Sequence, residues 1–513
     1  MCQSDKPLFL ADALQEEMKE VGANTIEERA GYNRIILKAP VGAGKNHFCL
    51  HVLPKMATQK PILFITSREA TVEQLGRELQ EIADSEGFAP SVVFGRIGEQ
   101  TVGRNFLYGH SWDIENHIAE YKELASRGFF RYIVMDECHS LMTDTVFTSA
   151  PLAVLELVEA TSSETAVILM SACPERIFKR RLTLDYKMLD YRDCHKAEPK
   201  HVEIIKGNTA TALLHKARED NKILYYVAST EKAYKLEKQY NEVGVRATAI
   251  TSNKAMREKV YQTKQEIDKW QQASGLALES LRERERFPDN VDLIIATTKI
   301  REGVNIKDKR VKTIITELRD SVSLIQCSGR VRHGVENFYI IDGSQFFKTK
   351  GYQEQYKCGQ KQLDNHNRTL CDYKIPDKKS GLISTVTKKL HRGVIYYSEA
   401  RDTFLLNRFY VPEQEQKWAD YEEWKADKVG YIRRVMEREQ VAYQIEEEKL
   451  IEIIKPYSDR RITTQEKNNL LAELNAVLPL NKQVSKKINT ILEKVGYNCK
   501  PERDKRHYII AKI

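Results

Sequence analysis

From residue 34 to residue 350 the chain repeats one pattern: a short unbroken run of apolar residues, a turn, then an amphipathic segment. The first runs are Arg34-Ile35-Ile36-Leu37, Pro61-Ile62-Leu63-Phe64-Ile65, Tyr132-Ile133-Val134-Met135 and Val167-Ile168-Leu169-Met170. A second series is Ile223-Leu224-Tyr225-Tyr226-Val227, Asp292-Leu293-Ile294-Ile295-Ala296, Thr313-Ile314-Ile315 and Phe338-Tyr339-Ile340-Ile341. A strand with one wet face alternates apolar and polar residues, whereas a continuous apolar run suits a central strand covered on both faces. Helices between such strands make βαβ units, so the class is α/β with parallel sheets. The charged stretch Cys194–Pro199 separates the two series, and two lobes are expected.

A chain of 513 residues is too long for one ordinary domain, and 41% apolar residues suffice for several cores. No run of eighteen apolar residues occurs, so no membrane span is expected. The segment Met1–Pro7 lacks a basic stretch followed by an apolar one, so the expected setting is cytoplasmic or nucleoid-associated, not secreted. Nine cysteines are scattered without a C-x-x-C pair, which speaks against a disulfide framework. The spacing of Cys358, His366 and Cys371 fits no structural zinc pattern.

The expected division of the chain is a first lobe at 1–196 and a second at 197–350, with a charged helical insertion near 252–288. A helical accessory region at 351–455 and a basic module at 456–513 follow. Strand signals fade after Lys350, and Glu413–Lys455 reads as one or two exposed helices. In the last module Leu470, Leu471, Leu474 and Leu478 lie at helical spacing, as do Val484, Ile488, Ile491, Leu492 and Val495. Tyr497–Lys500 and His507–Ile513 then read as a β-hairpin. Helix, turn, helix, hairpin is the order of a winged-helix module, whose second helix is basic through Lys482, Lys486 and Lys487. This segment holds twelve Lys/Arg against six Asp/Glu, while the whole chain carries +8 from 81 basic and 73 acidic residues. A basic tail of this kind is the electrostatic footprint of a nucleic-acid contact or a solvated surface.

Two motifs carry chemistry. Ala39-Pro40-Val41-Gly42-Ala43-Gly44-Lys45-Asn46 follows a predicted strand and opens a predicted helix. Small residues let backbone N–H groups surround a phosphate at the helix N-terminus, with Lys45 reaching the β- and γ-phosphates. The usual pattern is GxxxxGK[ST]; here Ala39 replaces the first Gly and Asn46 the hydroxyl that ligates Mg²⁺, and an amide oxygen is the substitute ligand. The second motif is Asp136-Glu137-Cys138-His139 at a strand end, 91 residues after Lys45 (136 − 45). One carboxylate there can hold Mg²⁺ and the other can orient the attacking water.

With these two pieces the chain resembles a superfamily 2 helicase, with Asp-Glu-Cys-His in place of the DEAD/DEAH box. Four more matches follow in the family's order. Phe64-Ile65-Thr66-Ser67-Arg68 is similar to a motif touching the nucleic-acid backbone, and Ser171-Ala172-Cys173-Pro174 to the Ser-Ala-Thr motif, with Cys173 replacing Thr. Ala296-Thr297-Thr298-Lys299-Ile300-Arg301-Glu302-Gly303-Val304-Asn305 resembles the second-lobe motif facing strand and nucleotide. Gln326-Cys327-Ser328-Gly329-Arg330-Val331-Arg332 resembles the Q-x-x-G-R motif that supplies arginine fingers. The second arginine lies two residues after the first rather than three, which leaves open which is the finger. The resemblance spans Arg34 to about Gly343, with a weaker likeness to viral and plasmid origin-binding helicases.

It implies two tandem RecA-like lobes, a mainly helical C-terminal region and a winged-helix-like end. ATP and Mg²⁺ are the implied cofactors. Catalysis falls to Asp136, Glu137, Gln326, Arg330 and Arg332. Pro40, Val41, Gly42, Ala43, Gly44, Lys45, Asn46 and Gly303 would hold the nucleotide, and Asp136 with Asn46 the metal. Thr66, Ser67, Arg68, Thr297, Thr298, Lys482, Lys486 and Lys487 would meet nucleic acid, DNA favoured over RNA, and replication, repair or defence proteins are the protein partners that fit. Gly31-Tyr32-Asn33 is the upstream candidate for contacting the base. The competing expectation is a nucleic-acid-binding initiator or adaptor with a weak or lost ATPase, acting through its C-terminal module.

Overall fold

The computed structural model describes residues 8–512 apart from 58–59, 85–92, 100–103, 147, 176–184, 196, 252–253, 262, 298–299, 301–303, 343–351, 391–392, 399–400, 439, 444–452, 478–487, 493–496 and 502–506. Two parallel sheets dominate it. In the first lobe the strands are β1 (Arg34–Lys38), β2 (Ile62–Thr66), β3 (Phe94–Arg96), β4 (Phe106–His110), β5 (Tyr132–Met135), β6 (Ala166–Ser171) and β7 (Lys187–Asp190). They lie in the order β3-β4-β2-β5-β6-β1-β7. Ile35 and Leu37 of β1 enter one core and Ile36 the other, which is why the run shows no alternation.

The second lobe comprises β8 (His201–Lys206), β9 (Lys222–Tyr226), β10 (Ala247–Ile250), β11 (Leu293–Ala296), β12 (Val311–Thr316) and β13 (Asn337–Asp342). Its order is β10-β11-β9-β12-β13-β8, with a short seventh strand beyond β8. These are the two parallel-sheet α/β lobes that the sequence pattern predicts, joined through Ala197–Lys200. The insertion contains the helix Lys264–Glu283, opened by a capping box between Thr263 and Glu266. Its far end reaches the other lobe, where Arg282 pairs with Glu73 at 3.2 Å and Arg77 donates to the Arg282 carbonyl at 3.1 Å.

The accessory region departs from the sequence expectation in two ways. It holds a β-hairpin, β14 (Ile395–Ser398) and β15 (Thr403–Leu406), packed with the helices Tyr352–Asp372 and Pro376–Lys389 around Val394, Ile395 and Phe404. Its later helices, Tyr410–Ala426 and Lys428–Met436, are not exposed rods: Trp424, Tyr431, Ile432 and Val435 complete the second lobe's core. The seventh strand of that lobe is β16 (Ala442–Tyr443), parallel to β8. At its other end the region docks on the first lobe, where the buried Asn407 donates to the Thr145 carbonyl at 2.9 Å and Phe409 enters the core. The helix Tyr410–Ala426, about 25 Å long at 1.5 Å per residue, thus runs as a strut between the lobes.

The terminal module is a strand β17 (Arg461–Thr463), a helix Thr464–Val477, a short helix Asn489–Leu492 and the hairpin β18 (Tyr497–Pro501) and β19 (His507–Lys512). Ile462, Leu470, Leu474, Leu492 and Ile510 form its core. Lys482, Lys486 and Lys487 lie outside the described residues. Among the described residues no helix is long and apolar enough to cross a membrane.

Candidate active site

Strand order assembles the site. β5, β6 and β1 are adjacent, so the loops leaving their C-terminal ends stand side by side: Asp136–Glu137 after β5, Ala172–Cys173 after β6 and Ala39–Lys45 after β1. Ligands of open parallel sheets gather at this edge. In the β1 loop Gly42 and Gly44 hold φ of 92° and 87°, values that a side chain strains, and these turn the chain into the helix begun by Lys45. Lys45 is buried, and its ammonium donates to the Ala39 and Pro40 carbonyls at 3.2 and 3.1 Å. Asn46, half-buried, follows in the first helical turn.

Asp136 is buried, and its Oδ1 has no hydrogen-bond partner among the described residues. Burial first, then the Glu137 charge, push its carboxyl up to about 6 against the pull of Lys45. Glu137 sits at φ 49°, a left-handed conformation that costs a non-glycine residue roughly 1 kcal/mol or more and is held by its surroundings. Its neighbour His139 hydrogen-bonds Ser171 Oγ through Nδ1 at 2.9 Å and lies 3.4 Å from Glu137 Oε2. Ser171 Oγ in turn accepts from the Cys173 amide at 3.0 Å, tying the acid pair to the β6 loop.

The second lobe closes directly onto these groups. Gln326, on the helix Ser321–Ser328, donates to Glu137 Oε2 at 2.9 Å. Arg330 donates to Gln326 Oε1 at 2.6 Å and to its carbonyl at 3.0 Å, and Arg330 Nη2 lies 4.0 Å from Glu137 Oε1. Arg332 donates to Asn305 Oδ1 through one Nη, while Nη1 is buried and has no hydrogen-bond partner among the described residues. That atom would lie 3.3 Å from a β-carbon at Gly42, so the guanidinium is aimed at the β1 loop. Burial and the Arg330 charge lower its pKa to about 10. A β-carbon at Gly329 would lie 2.4 Å from Val41 Cβ, and only glycine allows this approach of the lobes.

Other expected residues fall elsewhere. Thr66 and Ser67 are buried at the end of β2, two strands from β6, and their hydroxyls have no hydrogen-bond partner among the described residues; Arg68 pairs with Asp144 at 2.8 Å. Thr297 is buried at the end of β11, its hydroxyl equally unbonded, while Thr298 and Gly303 lie outside the described residues. Tyr32 and Asn33 cannot meet a base: they precede β1, about 16 Å along the strand from the loop at its other end. The aromatic group that does reach the loop is Phe9, 48% exposed, 3.6 Å from a Gly44 β-carbon and 4.6 Å from the His195 ring. The adjacent Leu10 amide donates to the Ala43 carbonyl at 2.9 Å. No periodicity marks Phe9.

Residues 11–176, which span the loop and the acid pair, match the family model described as the res subunit of type III restriction enzymes. No curated protein sequence matches the chain. Solved structures to which this chain is similar include the Saccharomyces cerevisiae protein Dbp5 bound to RNA and ADP BeF3, at 14% identity over 66% of this chain and 88% of that one (TM-score 0.42). The Mycobacterium smegmatis helicase Lhr bound to single-stranded DNA and AMP-PNP is similar at 12% identity, over 81% and 60%, with TM-score 0.44. The Escherichia coli helicase HrpB, of the DEAH/RHA type, is similar at 12% identity, over 69% and 46%, with TM-score 0.43.

Proposed function

We propose that the chain is a nucleic-acid-stimulated ATPase that moves on, or unwinds, a strand bound across both lobes. One observation carries the reading: the carboxylate of the first lobe, Glu137, is held by Gln326 of the second, with Arg330 behind it and Arg332 facing the β1 loop. Phosphoryl transfer spreads negative charge over the γ-phosphate oxygens, and a cation from a second lobe stabilises it only when the lobes close. In this reading Lys45 and the amides of Gly42–Lys45 grip the phosphates. Glu137 orients the attacking water and takes its proton. Arg332, with its free Nη1 facing the loop, is the finger, and Arg330 positions Gln326 and through it Glu137. Phe9 stacks on the base.

The buried, unbonded oxygen of Asp136 suits a divalent cation, which Asp136 and Asn46 would hold. Mg²⁺ bound there would neutralise phosphate charge. DNA is the strand we put forward, because the terminal segment is basic and its sequence pattern resembles a winged-helix module. A cytoplasmic or nucleoid setting accompanies that choice. The test is phosphate release with a panel of DNA and RNA strands. Lys45→Ala and Glu137→Gln should each abolish stimulated turnover with the fold intact, and unchanged turnover in both removes the assignment. A wild-type protein that binds strands yet releases no phosphate is the adaptor that Asn46 and Cys173 would fit.

A further inference from the structure

His110 ends β4 in register with Thr66 of β2, so the turn Thr66-Ser67-Arg68 and the segment His110-Ser111-Trp112 leave neighbouring strand ends. Trp112, in the first turn of the helix Ser111–Asn116, is 55% exposed. It is the one exposed tryptophan of four: Trp424 is buried in the second lobe's core, and Trp270 and Trp418 are half-buried. A single exposed aromatic is ordinary on a protein surface. This ring, however, is fixed in place. Its Nε1 donates to Thr148 Oγ1 at 2.9 Å, and the His110 ring supports it at 4.8 Å between centroids. His110 is itself locked as the helix cap, accepting from the Trp112 amide at 3.1 Å while its own amide donates to Asp113 Oδ2 at 2.8 Å. An indole restrained on one side and wet on the other has already lost the freedom that stacking would cost.

We infer that Trp112 is a stacking platform for one unpaired base of the bound strand. The inference rests on the nucleic-acid reading above and adds a contact none of the motifs contains. Arg68, on the adjacent strand end, supplies a nearby cation for the flanking phosphate, although it must first exchange its bond to Asp144. A platform of this kind reads no sequence, because every base has a π-face. It also separates two contributions to affinity, since phosphate contacts depend steeply on salt and stacking does not.

The test uses the full chain, a labelled oligothymidylate and a labelled oligouridylate, with anisotropy for binding and tryptophan emission for the contact. Binding should quench wild-type emission. Trp112→Phe, which keeps an aromatic face, should still bind but lose most of the quench. Trp112→Ala should bind roughly tenfold more weakly, the scale of one lost base stack, with the slope of log Kd against log salt unchanged. A full quench in Trp112→Phe, or wild-type affinity in Trp112→Ala, overturns the inference and leaves the motor reading standing. No binding of either strand by the wild type removes the nucleic-acid reading itself.

Discussion

Gly329→Ala is the perturbation whose cost can be worked most directly from the structure. Its new methyl would lie 2.4 Å from Val41 Cβ and 2.6 Å from Val41 Cγ1. Carbon atoms in contact rest at about 3.5–4.0 Å, so the lobes must part by roughly 1–1.5 Å at this point. The Gln326–Glu137 bond, now 2.9 Å, then stretches to about 4 Å and ceases to be a hydrogen bond. A bond to a charged partner is worth about 1.5–3 kcal/mol, and displacing catalytic groups by about 1 Å costs on the order of a hundredfold. Strand-stimulated turnover should therefore drop at least about a hundredfold. Affinity for a fluorescent ADP analogue should hold within a few-fold, because Lys45 and its loop belong to the first lobe. Val41 supplies the clash, so adding Val41→Gly to Gly329→Ala should restore part of the rate. Wild-type turnover in Gly329→Ala would refute the claim that this closed contact is the working one, and so would failure of the double variant to recover at all.

Three further outcomes are expected. Asn407→Ala removes the donor to the Thr145 carbonyl and the acceptor of the Phe409 amide, so unfolding measurements should show a loss of about 2 kcal/mol, with early protease cleavage in the accessory region. Burial lifts the Glu237 carboxyl from 4.5 to about 7 against the pull of Arg257. Because the folded state keeps this proton after the unfolded chain has released it, stability should fall as pH rises from about 4.5 to about 7 and level off above, by no more than about 3 kcal/mol. Urea midpoints of Glu237→Gln should lack that fall, and parallel curves for the two proteins would contradict it. Severing the latch by Arg282→Glu, opposite Glu73 at 3.2 Å, places like charges across the lobes and should raise the salt sensitivity of closure in an interlobe distance measurement.

Legibility in the sequence followed burial. β1, β2, β5, β6, β9, β11, β12 and β13 appear as unbroken apolar runs because both faces of each are covered. β4 hides because Gly109 and His110 interrupt Phe106-Leu107-Tyr108, although all five residues are buried. β7 and β8 sit toward the sheet edges and carry exposed lysine and histidine, and β10 is only Ala247-Thr248-Ala249-Ile250. The accessory helices read as solvent-facing from their charges. Helices of that composition dock when a few large residues face one way, as Trp424, Tyr431 and Ile432 do. Order and spacing single out Lys45, Asp136, Glu137, Gln326, Arg330 and Arg332, which the fold brings to the boundary between the lobes. Their placement is not legible there: that Arg332 faces the Gly42 loop while Arg330 holds Gln326 depends on how two lobes meet, and the one-dimensional pattern G-R-V-R is silent on it. Phe9 likewise reaches the loop only through the packing of the helix Leu10–Val21.

The central claim is that the site is shared, with the first lobe gripping the triphosphate and the second making it reactive. The most direct measurement is single-turnover phosphate release by Arg332→Ala at saturating nucleotide and strand, beside nucleotide binding by the same variant. Near wild-type binding is expected, with a rate lower by roughly a thousandfold or more, the scale of a lost arginine finger. Unimpaired release by Arg332→Ala, or impaired binding with an unchanged rate, would contradict it.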